Sequence, residues 1–226
     1  MSTLTDMPNT DLHSTADGQV DAVTRTVSTT DNGNTITTGA GLRQRFDVTV
    51  DELWAALTSA DRLALWFAPV SGDLQVGGRY QIEGDAGGVI ETCDSRDGFT
   101  ITWEFGEDIS HLAVSLDVED DGLACLTVEH RAEVAAERWI DYGPGAVGVG
   151  WDLALLGLAH HLATGASPAA ESAAWSETDQ AQRFMSDSSR RWADASVSAG
   201  TPEVAAQASE MRTTAFYLGT GVPDAP

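Results

Sequence analysis

Lysine is absent from this chain. All twelve basic side chains are Arg, set against 35 Asp and Glu, for a formal charge of −23 over 226 residues. Without a lysine, the chain cannot form a Schiff base through a side-chain amine of its own. With so few bases it lacks the clusters that neutralise phosphates, so nucleic acid is not an expected partner. An anionic membrane surface is disfavoured for the same reason. Cysteine is nearly absent too: Cys93 and Cys125 cannot build a disulfide framework, and no C-x-x-C pair marks a redox centre. No apolar run approaches the roughly 20 residues that span a bilayer. The first residues show no basic start followed by an apolar core, so no signal peptide is expected. The first forty residues contain no Trp, Phe or Tyr but eleven Thr and five Asp. They cannot bury enough apolar area to offset their ordering entropy, so residues 1–33 read as a disordered tail. What remains describes an acidic globular protein of the cytoplasm, with 42% apolar residues and seven Trp.

The charge is uneven. Residues 1–40 and 165–226 each carry −4, and residues 41–164 carry −15. That middle stretch also holds most of the apolar patterning, as expected for a folded domain with an acidic outer coat.

Order is expected from Asn34–Phe46, a Thr, Ile and Val-rich strand weakened at its middle by Gly39 and Gly41. Thr49-Val-Asp-Glu52 fits a capping box opening a short helix with Leu53, Trp54 and Leu57 on one stripe. A second short helix carries Leu63, Leu65, Trp66 and Phe67 and stops before Pro69. From Gly72 to His130 the pattern changes to alternating runs broken by Gly and Asp turns, among them Arg79–Glu83, Val89–Cys93, Phe99–Phe105, His111–Val118 and Ala124–His130. Strands joined by short turns form an antiparallel meander. A long helix follows near Gly143-Pro144-Gly145, with Val147, Trp151, Leu155, Leu158 and Leu162 on one apolar stripe. Beyond Gly165, residues 176–199 and 202–217 read as two amphipathic helices anchored by Trp175, Phe184, Trp192, Phe216 and Tyr217. The chain thus divides into the tail, a main domain over 34–164 and a helical extension over 165–226.

The fold class is α+β. A strand, two short helices, a meander and a long helix, in that order, make a helix-grip architecture of six or seven antiparallel strands wrapped around the last helix. The running pattern Val50-Asp-Glu-Leu-Trp-Ala-Ala-Leu-Thr58, Leu65-Trp-Phe67, Gly77-Gly78-Arg79-Tyr80, Val89-Ile90-Glu91, Ile101-Thr-Trp103 resembles the SRPBCC (START-related) superfamily over about residues 40–163. Within it the chain resembles the branch named for the activator of the heat-shock-protein-90 ATPase. The segment Tyr142-Gly-Pro-Gly-Ala-Val-Gly-Val-Gly-Trp-Asp-Leu-Ala-Leu155 is similar to bacterial members with a C-terminal extension. The resemblance implies a ligand cavity between sheet and helix, and a chaperone or other protein as an alternative partner. The basic surfaces and second domain that the eukaryotic namesakes use are not visible here. The polar residues of enzymatic relatives vary between branches, so none is carried over by position.

In that architecture the inward faces offer Trp54, Trp66, Phe67, Tyr80, Trp103, Leu116, Val128, Trp139, Trp151 and Leu155, either as core or as the wall of a site for a small hydrophobic molecule. The glycines of the long helix, Gly148, Gly150 and Gly157, favour the site, because helical Gly is tolerated where something must approach closely. His130 shares a face with Leu126 and Val128 and is expected to point inward, as a ligand-orienting or acid–base group or as a satisfied core histidine. Tyr80 and Glu91 complete the polar candidates for catalysis; a carboxylate inside the cavity would have a raised pKa. Alternation turns Glu104 and Glu129 outward and leaves the direction of Glu91 open. Asp141 and Tyr142 precede the long helix at an expected cavity mouth. His160 and His161 are neighbours on a helix and face different ways, so no metal site is expected. Gly143-Pro-Gly-Ala-Val-Gly148 matches G-x-G-x-x-G formally, but it follows a meander and precedes no strand, so no dinucleotide cofactor is implied. Cofactors are expected to be none. The three readings are a binding protein, a cyclase- or hydrolase-like enzyme using the same cavity, and a chaperone-activating protein.

Overall fold

The computed structural model describes residues 12–167 and 174–220. Eight antiparallel strands form one curved open sheet in the order β1-β2-β8-β7-β6-β5-β4-β3. They are β1 (Val23–Asp31), β2 (Thr35–Phe46), β3 (Val70–Gly72), β4 (Arg79–Ile82), β5 (Gly87–Asp94), β6 (Gly98–Phe105), β7 (Asp108–Val118) and β8 (Ala124–Ala135). Helices α1 (Leu12–Ala16) and α2 (Gln19–Ala22) precede the sheet, and α3 (Val50–Thr58) and α4 (Ala60–Trp66) lie between β2 and β3. After β8 the described residues include α5 (Ala136–Tyr142), α6 (Gly145–Thr164), α7 (Asp179–Ser198) and α8 (Glu203–Tyr217). The helix-grip expectation is met, with eight strands in place of the six or seven expected.

The expectation of a tail through residue 33 fails at β1. Its first eleven residues lie outside the described residues, but Val23–Asp31 pairs along its whole length with Ile36–Gln44. Val23 is the one apolar residue of this strand that is buried, and Val27 is half-buried. An edge strand covered on one side needs little apolar content, and its Thr residues suit a pleated surface. The glycines that weaken β2 as a sequence make room for it. A Cβ on Gly39 would stand 2.5 Å from Ser28 Oγ, and one on Gly41 would stand 2.3 Å from Thr26 Oγ1.

Thr49 caps α3 as expected, its hydroxyl accepting the Glu52 amide proton. The strand pattern fixes which faces meet the helix. Ile101, Leu112, Val114, Leu126 and Val128 all turn to one side of the sheet and are buried. Helix α6 packs there, with Leu155 and Leu158 buried. Among the described residues α6 is the one helix long and apolar enough to cross a membrane; here it forms the interior of the fold and carries a buried Asp152.

The opposite side of α6 receives α7. Trp192 is fully buried, and Gly148 lies so close beneath it that a Cβ would come within 2.2 Å of its ring. A Cβ on Gly150 would stand 3.3 Å from the Tyr217 hydroxyl, which donates to Ala146 O at 3.0 Å. These two helical glycines therefore admit the C-terminal helices rather than a ligand, contrary to the expectation from sequence. Trp175 and Phe184 are buried as anchors, whereas Phe216 is 60% exposed and meets Tyr142 and Tyr217 edge-on.

Candidate functional site

Between α6 and the inner face of β4–β8 lies a cavity of about 400 Å³, within the range of small-molecule sites. Trp103 and Trp151 meet edge-on at one part of its wall, with centroids 5.3 Å apart. Trp66 and Phe67, from the end of α4, form another part of the wall, with Tyr80 of β4, Phe99 of β6, and Leu155 and Leu158 of α6. The β3–β4 connection contributes Leu74, Gln75 and Val76, of which Leu74 and Val76 are exposed. Leu74, Val76 and the exposed Cys93 mark the rim.

The polar atoms of this wall are largely committed to the protein itself. The Tyr80 hydroxyl donates to Thr102 O at 2.7 Å, and burial pushes its pKa up to about 12, so it stays a neutral donor near neutral pH. Trp66 Nε1 donates to Ala56 O at 2.9 Å, and Thr58 Oγ1 donates to Trp54 O at 2.8 Å. Among the described residues, no Asp, Glu, Arg or His belongs to the lining.

His130 sits behind the wall and is 8% exposed. Trp151 Nε1 donates to its Nδ1 at 3.1 Å, which leaves the ring proton on Nε2, 2.7 Å from Ser110 Oγ. Ser110 Oγ in turn donates to Trp103 O at 3.2 Å. Both ring nitrogens are thus occupied in one directed chain. Burial pushes the imidazole pKa down to about 4, so the ring is neutral at ordinary pH. A histidine held this way positions Trp151 and Trp103 and has no nitrogen free for a ligand.

The other candidates separate. Glu91 is exposed on the outer face, where its carboxylate lies 3.4 Å from His111 Nδ1; the alternation of β5 shifts at a bulge between Ile90 and Thr92. It cannot act with Tyr80 or His130 inside. Glu104 is also outward and is held below the usual carboxylate range by its hydrogen bond from Arg79. Glu129 pairs with Arg131. Of the proposed wall residues, Trp66, Phe67, Tyr80, Trp103, Val128, Trp151 and Leu155 line the cavity. Trp54 stands one layer back, edge-on to Phe99. Leu116 is buried opposite Leu126 and lies outside the lining. Trp139 and Tyr142 are on α5, which packs on α8, so neither reaches the cavity. Tyr142 O accepts from Thr213 Oγ1 at 2.9 Å, and Asp141 lies 3.8 Å from Arg212 at the surface.

Sequence reasoning passed over Ile90, Phe99, Ile101, Leu112, Val114, Leu126 and Ala154, all of which line the cavity. Alternation around Trp103 and Val128 carried the signal for Ile101 and Leu126. The Leu74-Gln75-Val76 rim had none, because a loop has no periodicity. His160 is buried with Nδ1 3.2 Å from Thr15 Oγ1, and His161 is shared between Arg62 and Ala166 O. Among the described residues, no three His, Cys, Asp or Glu side chains converge as metal donors.

The fold has close relatives among solved structures. CalU16 from Micromonospora echinospora matches in its crystal structure with a TM-score of 0.60 and 26% identity, over 77% of this chain and 98% of that one. Its solution structure matches with a TM-score of 0.60 and 30% identity, over 79% and 97%. DynU16, a protein described as putative in the dynemicin biosynthetic locus, matches with a TM-score of 0.50 and 23% identity over 57% of this chain and 48% of its own, a likeness of fold. A comparison with curated proteins gave no match. Residues 47–163 match the family model described as Activator of Hsp90 ATPase homolog 1-like protein, a span that runs from the start of α3 to the end of α6. Together with the helix-grip sheet and the two CalU16 structures, that match places the chain in the Activator of Hsp90 ATPase homolog 1-like family of the SRPBCC fold.

Proposed function

We propose that this protein binds a small hydrophobic ligand in the cavity between the sheet and α6. The single observation behind the reading is the 400 Å³ space itself, walled by aromatic and aliphatic side chains. A core that merely needed filling would leave no space of this size, because empty apolar volume costs stability. A cytoplasmic location goes with this reading, as do the two free thiols.

Filling the space tests the proposal. Ala154 lies on α6 and faces the cavity. Ala154→Trp adds an indole there without touching the sheet ladders. Titration with Nile red, a neutral fluorophore, is expected to show saturable binding to the natural chain and at least about tenfold weaker binding to the variant. Thermal unfolding is expected to be unchanged or raised, because the added ring occupies space that was empty. Equal binding by both proteins would overturn the assignment.

The enzyme reading loses its set: of Tyr80, His130 and Glu91, one donates to a backbone carbonyl, one is saturated and one is outside. The family match favours a second reading, activation of a chaperone ATPase. Measuring the ATPase of the cognate chaperone with this protein at low and high salt decides it. Stimulation that weakens with salt supports docking by the acidic surface, and no stimulation at either salt removes the reading.

A further inference from the structure

The cavity has an electrostatic character that its size does not require. Among the described residues its wall contains neither a cation nor a carboxylate, and its polar atoms are mostly turned into the protein. The arginines next to lining residues are engaged: Arg62 Nη1 lies 2.7 Å from Glu52 and Arg79 Nη2 lies 2.6 Å from Glu104. Arg96, the other arginine of this region, pairs with Asp51. Acids, by contrast, flank two rim residues: Asp73 precedes Leu74 and Asp94 follows Cys93, whereas Glu91 faces the outer side of the sheet. The whole chain adds a charge of −23 behind them.

We infer that this cavity selects neutral ligands and rejects anionic amphiphiles built on the same carbon skeleton. The inference rests on the ligand-binding reading above and specifies which chemistry that reading admits. An anionic head drawn inside would lose its hydration with no guanidinium, ammonium or free N–H cluster to replace it. Left at the rim it would meet the like charge of Asp73 and Asp94. A neutral aromatic or polyene ligand meets neither cost and gains the full burial of its apolar surface. Fatty acids and other carboxylates are thereby the wrong class, although their hydrocarbon would fit.

Two matched pairs of fluorescent probes test this: pyrenebutanol against pyrenebutyrate, and retinol against retinoate. Energy transfer from the protein's Trp residues reads binding. Within each pair that binds, the neutral probe is expected to bind at least about tenfold more tightly at about 0.15 M salt. The gap is expected to narrow in 1 M salt, which screens the rim, and to persist in part, because salt does not restore hydration inside. Equal affinity within a pair, or tighter binding of the acid, overturns this inference and leaves the cavity standing as a binding site. Binding of none of the four probes overturns the binding reading beneath it.

Discussion

Asp152→Ala is expected to lower the unfolding free energy by about 3–5 kcal/mol, the usual result of stripping one partner from a buried ion pair. Asp152 is 1% exposed and lies at the meeting of β1, α6 and α7. Arg25 Nη2 donates to its Oδ1 at 2.8 Å and Arg25 Nε to its Oδ2 at 3.1 Å. Ser188 Oγ and Trp192 Nε1 also donate to Oδ2. The Arg25 side chain is 4% exposed, and its Nη1 donates to Val20 O and Val23 O. Removal of the carboxylate leaves a guanidinium, a hydroxyl and an indole N–H buried around an empty volume. In a chain of this size such a loss corresponds to a fall in Tm of about 10 °C. Urea unfolding of Asp152→Ala and of the pair Arg25→Met with Asp152→Leu checks the cause. The paired change removes both charges and is expected to recover much of the loss, because two apolar groups of similar volume leave no bare charge behind. A loss below about 1 kcal/mol in the single variant, or no recovery in the pair, would show that the charge pair is not what fastens the N- and C-terminal segments to α6.

That latch also shows where sequence reading stops. The meander, the capping box at Thr49 and the apolar stripe of α6 were legible, because each is a local pattern: alternation, a hydroxyl three residues before a carboxylate, a helical period. Arg25 was not legible as a partner of Asp152, since 127 residues separate them and Arg25 stands in a stretch too polar to look folded. The same gap hid β1. The cavity wall was legible wherever an aromatic marked its face, as at Trp103 and Trp151. It was lost where a short helix stands in a stretch the pattern left unassigned, as at Trp139, and where a bulge broke the alternation, as beside Glu91. The α6 glycines carried a true signal of close approach with the wrong neighbour attached, since periodicity says which residues lie on a helix face and nothing about what packs there.

His130 makes stability depend on pH in a window that opens well above the carboxylate range and closes at its upper edge. Its folded pKa of about 4 lies below the ordinary histidine value of 6.5, with burial as the cause. Between those values the unfolded chain takes up a proton that the folded ring refuses, so stability falls as pH drops from about 6.5 to about 4. Above 6.5 neither state is protonated at this site and its contribution is constant; below 4 both are, and the loss is complete at about 3 kcal/mol. Going from pH 7.5 to 5.0, this one ring is expected to remove about 2 kcal/mol. The many carboxylates contribute their own slope, so the measurement is a difference. His130→Asn has no titrating ring and keeps an oxygen that can accept from Trp151 Nε1. Urea unfolding of both proteins at the two pH values is expected to show the natural chain losing about 2 kcal/mol more than the variant. Parallel losses would mean that the ring protonates in place, and the directed chain Trp151–His130–Ser110–Trp103 would then be wrong. Steady Trp emission from pH 8 to 6, with a change only as unfolding sets in, is the matching optical result, because the two Trp residues this ring positions belong to the cavity wall.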